Sequence, residues 1–284
     1  MPELLGIWTL VLGMIVGSFL NVVIHRLPRG ESLIRPGSHC PRCDSPVAPF
    51  DNVPVLSYLW LRGRCRNCRV RISLRYPAIE ALTGLLFAGI ALRYGATLIT
   101  PVLFAFAAAL IVVAAIDFDY RIIPDEISIG GGLLAVTLVP IVHAVGGASL
   151  SSALTNSALG ALLGGGLFWS IGFAHARVTT AMGRRFPHWP GEGEELPRPG
   201  TLDYWTWFPG VGFGDVKLLA MIGAVLGPIG VLKTILAACA AGLLLGVGWG
   251  LVTRRWNAPF GFAPAIAAGA LLVILMPDLV PICW

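Results

Sequence analysis

Two sets of residues carry chemistry by their type and spacing. Cys40-Pro-Arg-Cys43 is followed by Cys65-Arg-Asn-Cys68, with residues 44–64 between them. Two C-x2-C turns at this separation match the spacing of a four-thiolate structural zinc site. Each turn is tight enough to aim both of its sulfurs at one tetrahedral ion. Flanking arginines favour the thiolate form and offset the charge of such a centre. A redox pair or unrelated free thiols are the competing readings, and a reducing compartment favours metal over disulfides. Four thiolates fill a zinc ion's coordination, so the ion would be structural, whereas a catalytic zinc keeps a position open. A loop of this size has little core of its own to fold around without a metal. Cys239 and Cys283 lie in apolar runs and read as inert packing residues. His25 and His39 read as ordinary polar loop residues.

The second set is acidic. Asp117 closes an apolar run in Ile116-Asp-Phe-Asp-Tyr-Arg-Ile-Ile-Pro-Asp125. It falls at the C-terminal end of a helix, where the macrodipole disfavours a carboxylate. Asp125 follows Pro124 and precedes a new helix, a normal N-cap setting, and Asp119 reads as solvated. Asp215 ends Gly210-Val-Gly-Phe-Gly-Asp215 and opens another helix. An N-cap is the plain reading there too, although the glycines would let a bound chain pass close to the backbone. Two carboxylates at one membrane depth would suit a water-activating acid/base pair.

The elements that position these residues are membrane helices. The chain has 284 residues, of which 56% are hydrophobic and 12% charged. Soluble domains average about 25% charged residues. Apolar runs at 4–24, 77–92, 97–116, 127–145, 154–174, 216–226, 229–252 and 262–280 predict an all-α polytopic membrane protein with about eight transmembrane helices. The first run lacks a basic lead and a small-residue cleavage site, so it reads as a retained span rather than a signal peptide. Of the 20 Lys and Arg residues, only Arg93 and Lys233 fall on the face opposite the cysteine loop. By the positive-inside rule the loop is cytoplasmic and the N-terminus lies outside. The net charge of +5 therefore reads as topology, and nucleic acid is not an expected partner. Gly160 and Gly164 share a four-residue spacing that lets membrane helices approach closely.

The chain resembles the type IV prepilin peptidases, the leader peptidase/N-methyltransferases. The resemblance rests on Gly17-Ser-Phe-Leu-Asn-Val-Val-Ile-His-Arg-Leu-Pro28, on the loop from His39 through Asp51-Asn-Val-Pro54, Leu61-Arg-Gly-Arg-Cys65 and Tyr76-Pro-Ala-Ile-Glu80, on Asp117 seven residues before Pro124, and on Gly212-Phe-Gly-Asp215-Val-Lys217. It implies an inner-membrane aspartyl endopeptidase that removes the leader of prepilins and pseudopilins at the cytoplasmic membrane face. Asp117 and Asp215 would inherit the catalytic roles, supported by Gly212 and Gly214. It also implies N-methylation of the new N-terminal residue, usually Phe, with S-adenosylmethionine as donor and Gly63 as a candidate near the donor. The rival readings are a non-catalytic membrane assembly factor and a different G-x-G-D intramembrane protease of the presenilin-like kind.

The resulting organisation is a first transmembrane helix at 1–24, a cytoplasmic zinc-ribbon-like loop domain with four cysteines at 25–77, and a seven-helix peptidase domain at 78–284. A cytoplasmic insertion at about 177–208 departs from the family pattern. Its prolines and glycines predict an irregular loop, and its tryptophans predict anchoring at the membrane interface. Expected partners are prepilin and pseudopilin precursors and membrane lipids.

Overall fold

The structure is a computed structural model, and it describes residues 2–183, 197–208, 212–254 and 261–276. Among them are nine α-helices and no strand: α1 (Pro2–Arg26), α2 (Leu56–Trp60), α3 (Arg75–Tyr94), α4 (Ile99–Tyr120), α5 (Asp125–Val145), α6 (Leu150–Ala181), α7 (Leu202–Thr206), α8 (Phe213–Thr253) and α9 (Ala263–Leu275). Within the described residues, α1, α3, α4, α5, α6 and α8 are long and apolar enough to cross a membrane. Large apolar side chains point outward along them, among them Leu4, Trp8 and Leu133, as lipid-facing helices require.

The chain divides into two compact units, Met1–Arg121 and Ile122–Trp284. In the first, α1 lies against α3 on bare backbone. A Cβ placed on Gly13 would stand 2.7 Å from the Cα of Gly84, and one on Gly17 would stand 2.7 Å from the Cα of Glu80. Gly13 and Gly17, four apart on α1, thus let the backbone of α3 at Gly84 and Glu80 approach closely, in a seam where dispersion replaces the hydrophobic effect. Asn21 extends the seam by donating to the Tyr76 carbonyl at 3.1 Å. Across α3 and α4, Phe87 and Phe104 stack with ring centroids 4.2 Å apart.

In the second unit the spacing of Gly160 and Gly164 has the expected use. A Cβ on Gly160 would fall 2.0 Å from the Gly223 carbonyl oxygen, and one on Gly164 would fall 2.3 Å from that of Leu219. Ser157 locks the same face by donating to Ala224 O at 2.7 Å. The runs expected at 216–226 and 229–252 are two helical stretches of α8 that meet at a kink. The break falls at Gly227, whose φ of 71° and ψ of −179° precede Pro228 inside the helix. Glycine tolerates that conformation, and proline cannot complete the helical hydrogen bond behind it. The last expected run is covered by the 13-residue α9, and 277–284 lie outside the described residues. Cys239 is exposed on α8 rather than packed, and Cys283 is outside the described residues.

The 177–208 segment is more regular than its composition suggests where it is described. α6 continues to Ala181 and Leu202–Thr206 forms α7, while 184–196 lie outside the described residues. The Arg177 guanidinium sits 3.6 Å from the centroid of Tyr204 and donates to the Tyr204 carbonyl at 2.7 Å. Trp205 stacks on Phe173 at 5.2 Å, and Trp169 donates to Trp205 O at 2.8 Å. Phe208 packs with the buried Ala176, flanked by Trp169, Phe173, Trp207 and Phe213. These tryptophans therefore hold the polypeptide against α6 as it approaches the glycine–aspartate motif.

Candidate metal centre and carboxylate positions

The two cysteine turns have the same backbone. In the first, Asp44 N donates to Cys40 O at 2.9 Å and Cys40 N to Ser45 O at 3.0 Å. In the second, Arg69 N donates to Cys65 O at 3.1 Å and Cys65 N to Val70 O at 2.9 Å. The residue four after each first cysteine takes a positive φ, 53° at Asp44 and 59° at Arg69. Isolated bridges, His39 with Pro46 and Arg64 with Arg71, close each turn. The repeated geometry brings Cys40, Cys43, Cys65 and Cys68 together with all four sulfurs within 4.8 Å of one another. The Cys40–Cys68 sulfur separation is 3.7 Å. A tetrahedral ion with metal–sulfur bonds of about 2.3 Å sets a sulfur–sulfur edge of about 3.8 Å, so the group fits a four-thiolate metal centre.

Local hydrogen bonds favour the metal-binding form of two of the thiols, Cys43 and Cys65. At Cys68 the Val70 backbone is outweighed by burial and the neighbouring thiols, which push it up to about 11. The hydroxyl and then the backbone of Ser45 draw Cys43 down to about 6. The backbone of Cys68 and then that of Asn67 hold Cys65 below the ordinary thiol range. Neither nearby histidine joins the group. His39 Nδ1 lies 3.0 Å from Gly37 O, and His25 Nδ1 lies 2.6 Å from Arg29.

Other contacts brace the loop. Arg66 donates to both Asp51 oxygens, at 2.5 and 2.7 Å, and lies over the Phe50 ring. This pairing holds Asp51 below the usual carboxylate range. Gly63 has φ +65°, and a Cβ there would meet the Tyr58 hydroxyl oxygen at 2.7 Å. A turn and a close ring therefore already require glycine at this position.

Asp117 lies in the last turn of α4 and is 6% exposed. Behind it Arg121 takes the left-handed conformation, φ 57° and ψ 39°, and donates its N–H to Asp117 O at 2.9 Å, ending the helix. Asp119 pairs with Arg75, which also donates to Ala115 O at 3.1 Å. It is thus an ion-pair partner between α3 and α4 rather than simply solvated.

Asp215 is not an N-cap. That position belongs to Gly212, and Asp215 stands three residues later, with its N–H donating to Gly212 O at 3.0 Å. Its Oδ2 lies back over the turn, 3.4 Å from where a Gly212 Cβ would be. A Cβ on Gly214 would stand 3.1 Å from the Ile123 Cβ, so the bare glycine lets the α5 approach pack on the first turn of α8. Lys217 pairs with Asp125 on the same face. The N-cap of α5 is Pro124, with Asp125 the first residue of the helix. The Asp125 carboxylate therefore serves a contact between helices. Nothing in the sequence linked positions 92 apart, whereas Glu80, an acid inside an apolar helix, is the kind of residue that marks a special role.

The description of a bacterial A24 peptidase N-terminal domain matches residues 11–94, and that of the type IV leader peptidase family matches residues 104–247. The chain belongs to the type IV leader peptidase family. It is 31% identical over 293 residues to the prepilin leader peptidase/N-methyltransferase of Aeromonas hydrophila, covering 93% of this chain and 88% of that protein. Against the protein of the same name from Pseudomonas aeruginosa it is 30% identical, covering 95% and 90%. Against that of Myxococcus xanthus it is 35% identical, covering 89% of this chain and 65% of the relative. No solved structure matches the chain. All four clustered cysteines fall in the first match, and Asp117 and Asp215 fall in the leader peptidase match.

Proposed function

We propose that this chain removes the N-terminal leader of prepilins and pseudopilins at the cytoplasmic face of the inner membrane, using Asp117 and Asp215, and N-methylates the exposed residue with S-adenosylmethionine. The observation that carries this reading is the leader peptidase match over the span that contains both aspartates. The relatives' name supplies both activities. The local settings support the assignment. In the first unit a buried carboxylate, Asp117, ends α4. In the second, Asp215 stands in a first turn of α8 that is packed by Ile123 against Gly214 and by Asp125 with Lys217.

In this mechanism one carboxylate, taken as Asp215, accepts a proton from the attacking water. The protonated partner, Asp117, polarises the scissile carbonyl and protonates the leaving amine. The aromatic clasp of α6 and α7 holds the approach to Asp215. Cys40, Cys43, Cys65 and Cys68 hold a structural zinc ion, which ties the two halves of the loop together.

The deciding experiment incubates the purified protein with a prepilin and S-adenosylmethionine, then measures the N-terminus of the product by mass. A product shortened by the leader and heavier by one methyl group is the expected result. An uncut substrate, with the protein folded and metal-loaded, favours the assembly-factor reading.

A further inference from the structure

The segment between the two knuckles turns its apolar side outward. α2 is a single amphipathic turn. Tyr58 lies on its inner side, with its hydroxyl donating to Ile72 O at 3.3 Å, while Leu56, Leu59 and Trp60 are 64%, 64% and 82% exposed. Phe50 and Val53, just upstream, are also exposed. A contiguous apolar surface of this kind on a small polar loop marks a contact with something apolar.

Backbone contacts fix the level at which this surface sits. Val55 has φ 61° and ψ −49°, and Leu56 N donates to Pro54 O at 2.6 Å. This is the rare, strained form of γ-turn, at a β-branched residue that avoids positive φ. The Val55 N–H donates to Glu80 Oε2 at 2.7 Å, and Glu80 abuts Gly17 in the seam between α1 and α3. Gly17 stands nine residues, about 13 Å of helix, before Arg26, where α1 ends. Asn52 and Pro54 share a groove with Ile15, Ser18 and Phe19 of α1. The loop therefore doubles back along α1 and α3 and enters α2 level with the apolar part of α1. Two exposed cations, Arg62 and Arg64, follow immediately.

We propose that α2 and its Phe50–Val53 approach form an interfacial segment seated in the bilayer. Leu56, Leu59 and Trp60 contact acyl chains, and Arg62 and Arg64 lie among anionic headgroups. Apolar side chains, a tryptophan and flanking cations are the composition that holds a segment at this depth. The Glu80–Val55 hydrogen bond and the γ-turn are the tether that directs the loop toward lipid instead of water.

The test places the photoreactive residue benzoylphenylalanine at Trp60, and separately at Leu59 and Arg42, in the full-length protein. Arg42 lies exposed in the first cysteine turn. Each protein is placed in nanodiscs of phosphatidylethanolamine and phosphatidylglycerol, illuminated and analysed by mass, with metal content confirming the fold. Lipid adducts at positions 59 and 60 on the order of ten-fold above position 42 are expected for an inserted face. Equal yields at all three positions would overturn the proposal. So would cross-links from 59 and 60 to peptides of 122–284 or to a co-purifying polypeptide, because the face would then be covered by protein. The readout involves no cleavage, so its outcome is independent of the catalytic assignment.

Discussion

Asp117 is buried at the end of α4, and Asp215 is half-buried in the first turn of α8. Their immediate surroundings differ, and neither serves as a helix cap, although the position of Asp215 in the sequence suggested one. Changing either to Asn keeps the shape and removes the proton transfer proposed for it. Asp117→Asn and Asp215→Asn should each slow leader cleavage by roughly 10²–10⁴-fold, with normal amounts of protein in the membrane. Near-native cleavage by either variant would contradict the two-carboxylate mechanism. Gly63 calls for a different expectation. Its φ is positive, and a Cβ there would stand 2.7 Å from the Tyr58 hydroxyl oxygen. Gly63→Ala should therefore cost about 1 kcal/mol or more of loop stability. Hydrogen exchange across residues 56–72 should rise in that variant. Unchanged exchange there, with methylation lost, would instead point to a direct role at the donor.

At the scale of elements, close helix packing rests on particular glycines and not on glycine content. Gly160 lies against the Gly223 backbone, whereas a Cβ on Gly166 would meet nothing within 4 Å. Gly160→Leu should therefore prevent α6 from seating on α8 and deplete the protein from membranes, well beyond the ~1–3 kcal/mol of ordinary overpacking. Gly166→Leu should accumulate normally. Quantifying both variants in isolated membranes tests the seam, and equal levels would refute it. The clasp between α6 and α7 is a second element-level contact. Arg177 combines a ring face with a carbonyl, and lysine lacks the planar group that does both. Arg177→Lys should leave α6 helical but speed limited proteolysis within 197–208.

For the molecule as a whole, the division into Met1–Arg121 and Ile122–Trp284 separates the cysteine loop from the unit that holds Asp215. The proposed structural zinc predicts that the loop's order depends on the four thiols, because Cys40 is its only buried hydrophobic residue between positions 30 and 74 and metal binding couples to folding. One zinc ion per chain is expected by elemental analysis. It should be lost in a Cys40→Ser/Cys65→Ser double variant. Stripping it should raise hydrogen exchange through 31–74 while α6 and α8 keep their protection. A metal-free protein with an unchanged loop would refute the structural role.

Much of this was legible in the sequence because the bilayer and the metal impose local, periodic demands. Long apolar runs must become helices to satisfy their backbone in lipid, and paired C-x2-C turns bring thiols together by short-range geometry alone. The same locality made Gly160 and Gly164 readable as a packing pair. Contacts between distant segments left no comparable trace. Asp125 looked like a cap and instead pairs with Lys217, Asp119 looked solvated and pairs with Arg75, and nothing local announced that Trp205 stacks on Trp169 and Phe173 of α6. A cap is defined by its neighbours along the chain, but an ion pair or a ring stack is defined by which helices lie side by side. The Glu80–Val55 hydrogen bond belongs to the second kind. Sequence determined that this chain spans a membrane, gathers four thiols and carries the aspartate motifs. Only the tertiary fold decided which acids bind arginine or lysine and how the loop turns back along α1, because those outcomes depend on the packing of helices far apart in the chain.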